Sequence, residues 1–379
     1  MLSAAVVPTA SIALLSFISR NVRTMARLGQ HFLRCPATIA RIVERAAPRP
    51  TDLVYEIGPG GGALTKALLP RCGRVVAAEL DGSLLPPLRA WAQGAGYSDR
   101  LELVHGDAQR LPVPPGAELV VANIPYAVSS PLLRLLLRNF AAAAAGGAGA
   151  GAGAAVAEAG AVAGAGATTT ERGVRTAVLL VQREFAQRLL ARPGDTKERA
   201  PKPKGRASRG SRGRGSGGGS AAPDGAGAYG ALSLDARMLA EVELVADVGR
   251  ELFDPPPRVD SAVVALTPRS ELAAGAEAEQ WLLMTKLCFT RRNKTLRAIL
   301  RSRAAGACLE PTGACLEPAS AGGEEQRREQ HWHRAAVEAA LAEAGLLEGR
   351  AAKLGVDEFA ALLRAIHAQG LRFRAAQPR

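Results

Sequence analysis

The sequence predicts an α/β fold, a parallel sheet with crossover helices, followed by a smaller C-terminal helical domain. Three observations lead there. From Asp52 onward short apolar runs alternate with helix-spaced stretches. A glycine-rich turn separates the first apolar run from the first helix, and beyond residue 267 helical spacing takes over. A chain of 379 residues also exceeds the usual size of one domain, so a main domain with a smaller companion is expected.

The predicted strands, in order, are Leu53–Ile57, Arg74–Glu79, Leu101–His105, Leu119–Ala122 and Ala177–Gln182, each a short aliphatic run. Two segments interrupt the rhythm within the main domain, residues 28–267. Residues 141–170 are nearly all Ala and Gly, and residues 193–228 are rich in Gly, Ser, Lys and Arg. Both read as flexible inserts, since each glycine in a helix costs about 1 kcal/mol relative to Ala. Two more strands, Val242–Val248 and Ala262–Leu266, follow the second insert. The smaller domain, residues 268–379, is predicted to hold helices over Glu279–Leu300, Arg334–Ala344 and Asp357–Ala368. An insert at about 303–330 contains the string Ala-Cys-Leu-Glu-Pro twice.

A net charge of +13 and a pI near 10.2 suit a polyanionic partner, although much of the excess lies between Lys197 and Arg214. Cys35, Cys72, Cys288, Cys308 and Cys315 form no CxxC pair and have no His at ligand spacing, so no metal site is predicted. The apolar run from Ile12 to Ile18 is too short to span a bilayer, and no membrane association is expected. Residues 1–27 carry Arg20, Arg23 and Arg27, and the first acidic residue is Glu44. That pattern reads as an organellar targeting leader.

Tyr55-Glu56-Ile57-Gly58-Pro59-Gly60-Gly61-Gly62 follows the first strand and opens a helix near Ala63. Glycines there let the backbone turn sharply and approach a ligand. Glu79 ends the second strand, where a carboxylate accepts hydrogen bonds from ribose hydroxyls. Asp107, after the third strand, places a second carboxylate at the same sheet edge. Together these point to an adenosine-type cofactor, and because Gly58, Gly60 and Ala63 also fit a dinucleotide fingerprint, they leave both NAD and S-adenosylmethionine open.

The fourth strand runs into Asn123-Ile124-Pro125-Tyr126, which resembles the signature of amino methyltransferases that act on nucleobases. An adenine amine is a poor nucleophile because its lone pair is delocalised into the ring. The Asn123 side-chain oxygen and the Pro125 carbonyl are suited to accept its two hydrogens and favour a pyramidal nitrogen, while Tyr126 is suited to stack on the base. No carboxylate base is needed at the transfer step.

Further blocks resemble one family, the ribosomal RNA adenine dimethyltransferases. They are Leu28-Gly29-Gln30-His31-Phe32-Leu33, Gln182-Arg183-Glu184-Phe185-Ala186, Arg192-Pro193-Gly194-Asp195, Phe253-Asp254-Pro255-Pro256-Pro257-Arg258-Val259-Asp260-Ser261 and Cys288 through Leu296. The resemblance implies a Rossmann-like S-adenosylmethionine-dependent methyltransferase sheet with a helical RNA-binding domain. It implies cofactor-binding roles for His31, Leu33, Gly58, Gly60, Glu79, Asp107 and Asn123, and catalytic roles for Asn123, Pro125, Tyr126 and Phe253, the last stacking on the adenine opposite Tyr126. The expected activity is dimethylation of adenine N6 in small-subunit ribosomal RNA, with a small-subunit precursor as partner and the enzyme a monomer.

Lys353-Leu354-Gly355-Val356-Asp357-Glu358-Phe359 and Gly370-Leu371-Arg372-Phe373 resemble the eukaryotic branch. With the leader, this implies a mitochondrial location, a nucleolar or plastid one being the alternatives. Tyr229-Gly230-Ala231-Leu232-Ser233 departs from the family, which often has an Arg before the Leu-Ser pair. Other functions weighed against this reading are a ribosome-assembly or mitochondrial transcription factor, an NAD-dependent oxidoreductase and a DNA adenine methyltransferase.

Overall fold

A computed structural model describes residues 30–144, 173–195, 229–269, 276–291, 293–312 and 325–374. The leader, the bulk of the 141–170 and 193–228 segments and the second Ala-Cys-Leu-Glu-Pro string lie outside the described residues.

The chain enters through a two-residue strand β1 (Phe32–Leu33) and helix α1 (Pro36–Ala46), whose first turn carries a proline where no backbone donor is needed. Then come β2 (Leu53–Ile57), α2 (Ala63–Leu68), β3 (Arg74–Glu79), α3 (Leu85–Gly94), β4 (Leu101–His105), β5 (Ala117–Asn123), α4 (Ser129–Ala144), β6 (Thr176–Gln182) and α5 (Arg183–Leu190). Helix α6 (Ala231–Leu239), β7 (Ala240–Val248), β8 (Phe253–Asp254) and β9 (Ser261–Pro268) follow.

Seven strands form one sheet in the order β4-β3-β2-β5-β6-β9-β7. The five strands from β4 to β6 are parallel, as expected, whereas β9 and β7 run antiparallel to their neighbours. The segment joining β7 to β9 contains no α-helix, so it returns the chain as a hairpin-like excursion rather than a crossover. Strand order reverses at β2 and β5, which makes the carboxyl ends of these strands the crevice of the sheet.

Alternation along each central strand divides the core between two faces. Tyr55, Ile57, Val120 and Ala122 pack with Leu133, Leu137 and Phe140 on one side. Val54, Val75, Ala77, Leu119 and Val121 pack with Ile42 and Leu68 on the other. Both faces are covered by helices, which is why these strands read as nearly continuous apolar runs.

Beyond β9 come α7 (Ala276–Cys288), α8 (Leu296–Leu300), α9 (Arg303–Gly306), β10 (Leu309–Pro311), α10 (Glu325–Glu343), α11 (Val356–Ala368) and β11 (Leu371–Phe373), which share a hydrophobic cluster of their own. That cluster gathers Trp281, Met284, Val337, Leu341, Phe359 and Leu362. The expected helix Glu279–Leu300 is two helices. Thr290 turns its hydroxyl back onto the Leu287 carbonyl at 2.7 Å, and Thr295 caps α8 by accepting from Ala298 N at 3.3 Å, so the apolar spacing continues across a break.

The inserts are narrower than the sequence reading placed them. Residues 141–144 finish α4, with Ala141 buried beneath it. Gly194 donates to the Ala352 carbonyl at 3.0 Å, tying residues 193–195 to the C-terminal helices. Residues 303–312 form α9 and β10, the latter paired with β11. Tyr229 is buried and donates its hydroxyl to the Leu354 carbonyl at 2.8 Å.

Candidate active site

A cavity of about 250 Å³ opens at the carboxyl ends of β2, β3 and β5, at the reversal of strand order. Its wall includes the glycine turn, Glu79 at the end of β3, Asn123 through Tyr126 at the end of β5, and Gln30 through Leu33 with Phe253 above them. His31, Leu33, Gly58, Gly60, Glu79, Asn123, Pro125, Tyr126 and Phe253 are thus brought together from five separate stretches of sequence.

The glycine turn is shaped by three left-handed residues, Gly58, Gly60 and Gly62. Gly58 has φ +70°, and a Cβ there would lie 3.6 Å from the Asn123 carbonyl oxygen. Gly60 has φ +55°, and its Cβ would come within 2.8 Å of the Phe32 ring. Only a residue without a side chain sits there unstrained, which brings backbone and the β1 segment into close approach. Glu79, 4% exposed, accepts from Gly60 N at 3.0 Å and from Asp81 N at 2.9 Å, so it braces the turn as well as lining the cavity. Behind the turn, burial pushes the Glu56 carboxyl up to about 7, while Thr65 donates to it at 2.6 Å.

Strands β1 and β8 pair antiparallel across the mouth, Phe32 opposite Asp254 and Leu33 opposite Phe253. Arg34 adds an ion pair to Asp254, and its N–H donates to the Leu252 carbonyl at 2.9 Å. His31 Nδ1 lies 2.7 Å from the Pro255 carbonyl, which only accepts, so Nδ1 carries the proton. These contacts join the segment before the sheet to one more than 200 residues later.

The same β1 segment holds the Asn123 motif. Asn123 Nδ2 donates to the His31 carbonyl at 3.0 Å, which fixes the amide plane and turns Oδ1 to the other side. The Tyr126 ring stacks on His31, centroids 5.9 Å apart at 28°, and its hydroxyl is hydrogen-bonded to Ser261 Oγ at 2.8 Å. Desolvation raises the Tyr126 phenol further above its ordinary value, so the hydroxyl stays neutral near pH 7.

Two expected residues stand differently. Asp107 is not among the cavity-lining residues. It follows β4, the outermost strand, and its carboxylate caps a turn by accepting from Gln109 N at 2.9 Å. Phe253 lines the cavity but is 5% exposed and packs into the core with Leu33 and Ile42, while one face of Tyr126 stacks on His31. Of the wall residues, Gln30, Phe32, Pro59, Gly61, Leu64 and Ile124 are not singled out by the sequence, although all but Leu64 lie within a recognised motif. Gln30 Oε1 is buried at this wall without a hydrogen-bond partner among the described residues.

Comparisons with known proteins show the family and the fold. The profile of the ribosomal RNA adenine dimethylase family matches residues 21–200 and 220–312. The chain is 33% identical over 275 residues to a mitochondrial ribosomal RNA small subunit methyltransferase of Arabidopsis thaliana, covering 73% of this chain and 56% of that one. It is 30% identical to a probable dimethyladenosine transferase of Dictyostelium discoideum, covering 91% of this chain and 90% of that one. Among solved structures it resembles a dimethyladenosine transferase from Plasmodium falciparum in fold, with TM-score 0.62 and 24% identity over 91% of this chain and 100% of that one. The 23S rRNA methyltransferase ErmE gives TM-score 0.51 and 26% identity over 89% and 99%.

Proposed function

We propose, because this chain belongs to the ribosomal RNA adenine dimethylase family, that it is an S-adenosylmethionine-dependent methyltransferase that dimethylates the N6 amine of adenines in small-subunit ribosomal RNA. One observation carries the assignment. The Asn123 amide is locked by the His31 carbonyl so that Oδ1 is presented as an acceptor, beside Pro125 and Tyr126 and on the same cavity as the glycine turn.

The residues present fit the cofactor. The Gly60 cradle is one that a Cβ would fill, the Gln30 Oε1 acceptor at the wall has no partner among the described residues, and Glu79 ends β3 beside the turn. Gly58, Gly60, His31, Leu33 and Glu79 would hold S-adenosylmethionine, which supplies an electrophilic methyl group when bound. Asp107 is proposed as a further cofactor contact, although it follows β4 and is not among the residues that line this cavity.

The chain's own groups do the rest by position. Asn123 Oδ1 and the Pro125 carbonyl accept the two amine hydrogens and draw the nitrogen lone pair out of conjugation. Tyr126 holds the base flat by stacking, a contribution of about 1–3 kcal/mol. No ionised carboxylate needs to remove a proton beforehand, because the nitrogen becomes acidic only as it gains the methyl. Catalysis is therefore orientation plus hydrogen bonding aimed at the transition state.

The partner is ribosomal RNA in a small-subunit precursor, bound by the enzyme as a monomer with the helical domain contacting RNA. A mitochondrial location is supported by the Arg-bearing leader composition and by the Arabidopsis relative. The intact Asn123-Ile124-Pro125-Tyr126 supports an enzyme over a purely RNA- or DNA-binding assembly or transcription factor. The proposal is tested by incubating the protein with methyl-labelled S-adenosylmethionine and immature small subunits. Label in RNA is expected, and label absent from RNA, or present in protein or DNA instead, contradicts it.

A further inference from the structure

Ser261 is the first residue of β9 and is 0% exposed. Because β9 runs antiparallel, its first residue lies at the edge where the parallel strands end, beside the Asn123 motif. Ladder pairing holds it on both sides, opposite Gln182 of β6 and Val248 of β7. Tyr126, in contrast, sits on a single 3₁₀ turn, Tyr126–Val128, and its side chain is only half-buried. The 2.8 Å hydrogen bond between Ser261 Oγ and the Tyr126 hydroxyl therefore links a ring on a turn to a fixed point in the sheet.

A tyrosine ring has two soft torsions, and stacking on its face restrains its tilt more than its rotation in the plane. His31 supplies the stacking contact and Ser261 tethers the far end of the ring. We infer that Ser261 is a positioning residue for the target base: by anchoring the Tyr126 hydroxyl it sets the ring plane on which an unpaired adenine is received. Ser261 touches neither base nor cofactor in this account, and it acts through Tyr126 alone. The inference rests on the proposed function, in which Tyr126 receives the base.

The test is a double-mutant cycle of Ser261→Ala and Tyr126→Phe, scored by KM and kcat for RNA methylation, by S-adenosylmethionine affinity in calorimetry, and by melting temperature. Each single variant is expected to raise KM for RNA about two- to tenfold, the range of one neutral hydrogen bond. Cofactor affinity is expected to stay at the parent value, and the double variant is expected to be no worse than the worse single one. Parent KM in Ser261→Ala with only a lowered melting temperature, or effects that multiply in the double variant, would overturn the inference while leaving the proposed function standing. Should Ser261→Ala fail to fold, Tyr126→Phe removes the same bond from its less buried end, and a parent KM there overturns it equally. A parent protein that transfers no methyl to RNA defeats both.

Discussion

Substituting Gly60 by Ala puts the whole architecture of the cavity under one methyl group. The residue holds φ +55°, and the new Cβ would stand 2.8 Å from Phe32 Cε1 and 3.0 Å from Cδ1. A left-handed backbone costs a residue with a Cβ about 1–2 kcal/mol, offset by about 0.4–1 kcal/mol from the stiffer unfolded chain. The Phe32 ring must also withdraw by roughly 0.7 Å or more to reach ordinary carbon contact, at an off-rotamer cost of about 0.5–1.5 kcal/mol. The total is about 1–3 kcal/mol, or a melting temperature lower by roughly 2–10 °C. Phe32 belongs to the strand that closes the cavity against β8, so its displacement also loosens the wall, and S-adenosylmethionine affinity is expected to fall about tenfold or more. Thermal unfolding and calorimetry measure both. Gly61→Ala is the stability control, because its Cβ meets nothing within 4 Å, and it is expected to melt within about 1 °C of the parent. If Gly60→Ala melts and binds cofactor like the parent, the Phe32 strand does not close the site.

Further outcomes follow from the same geometry. Asn123→Ala is expected to lower kcat about 10²–10³-fold with the fold intact, since it removes one positioned acceptor, and circular dichroism beside single-turnover rates checks it. Glu79→Ala should weaken cofactor binding more than Asp107→Ala, because Glu79 braces Gly60 whereas Asp107 caps a turn outside the wall. Equal losses in calorimetry would place the adenosine nearer Asp107. Burial pushes the Asp235 carboxyl up to about 7, so the folded state holds its proton more tightly than the unfolded chain. This contribution is fully present at low pH and is lost as pH rises toward and through 7. Asp235→Asn should therefore gain melting temperature relative to the parent between pH 5 and 8, and a pH-independent difference refutes it. Deleting residues 196–228, which carry eight Lys and Arg against Glu198 and Asp224, is expected to keep the fold and flatten the salt dependence of RNA binding.

The parts of the site that were legible in the sequence are those whose chemistry is contiguous. The glycine turn and Asn123-Ile124-Pro125-Tyr126 each lie at the end of an apolar run, and strand periodicity alone puts both at one sheet edge. The β1–β8 pairing was illegible from periodicity, because two-residue strands have no period and their partners are some 220 residues apart. For the same reason the His31 carbonyl, which orients Asn123, and the Ser261 hydroxyl, which anchors Tyr126, were visible only inside longer motifs. Asp107 was placed correctly at a strand end, but β4 is the outermost strand, and strand order is what distance from the crevice depends on. Phe253 shows the limit of reading an aromatic from sequence, since one ring both lines the cavity and fills the core. The broken helix at Cys288 escaped detection because apolar spacing persists on both sides of the Thr290 and Thr295 stops.

The identity of the methylated nucleoside tests the central claim most directly. Small subunits lacking the modification, incubated with the parent protein and labelled S-adenosylmethionine and then digested to nucleosides, are predicted to yield N6,N6-dimethyladenosine, with Asn123→Ala giving almost none. Label recovered in any other nucleoside, or recovered equally with Asn123→Ala, would contradict the account.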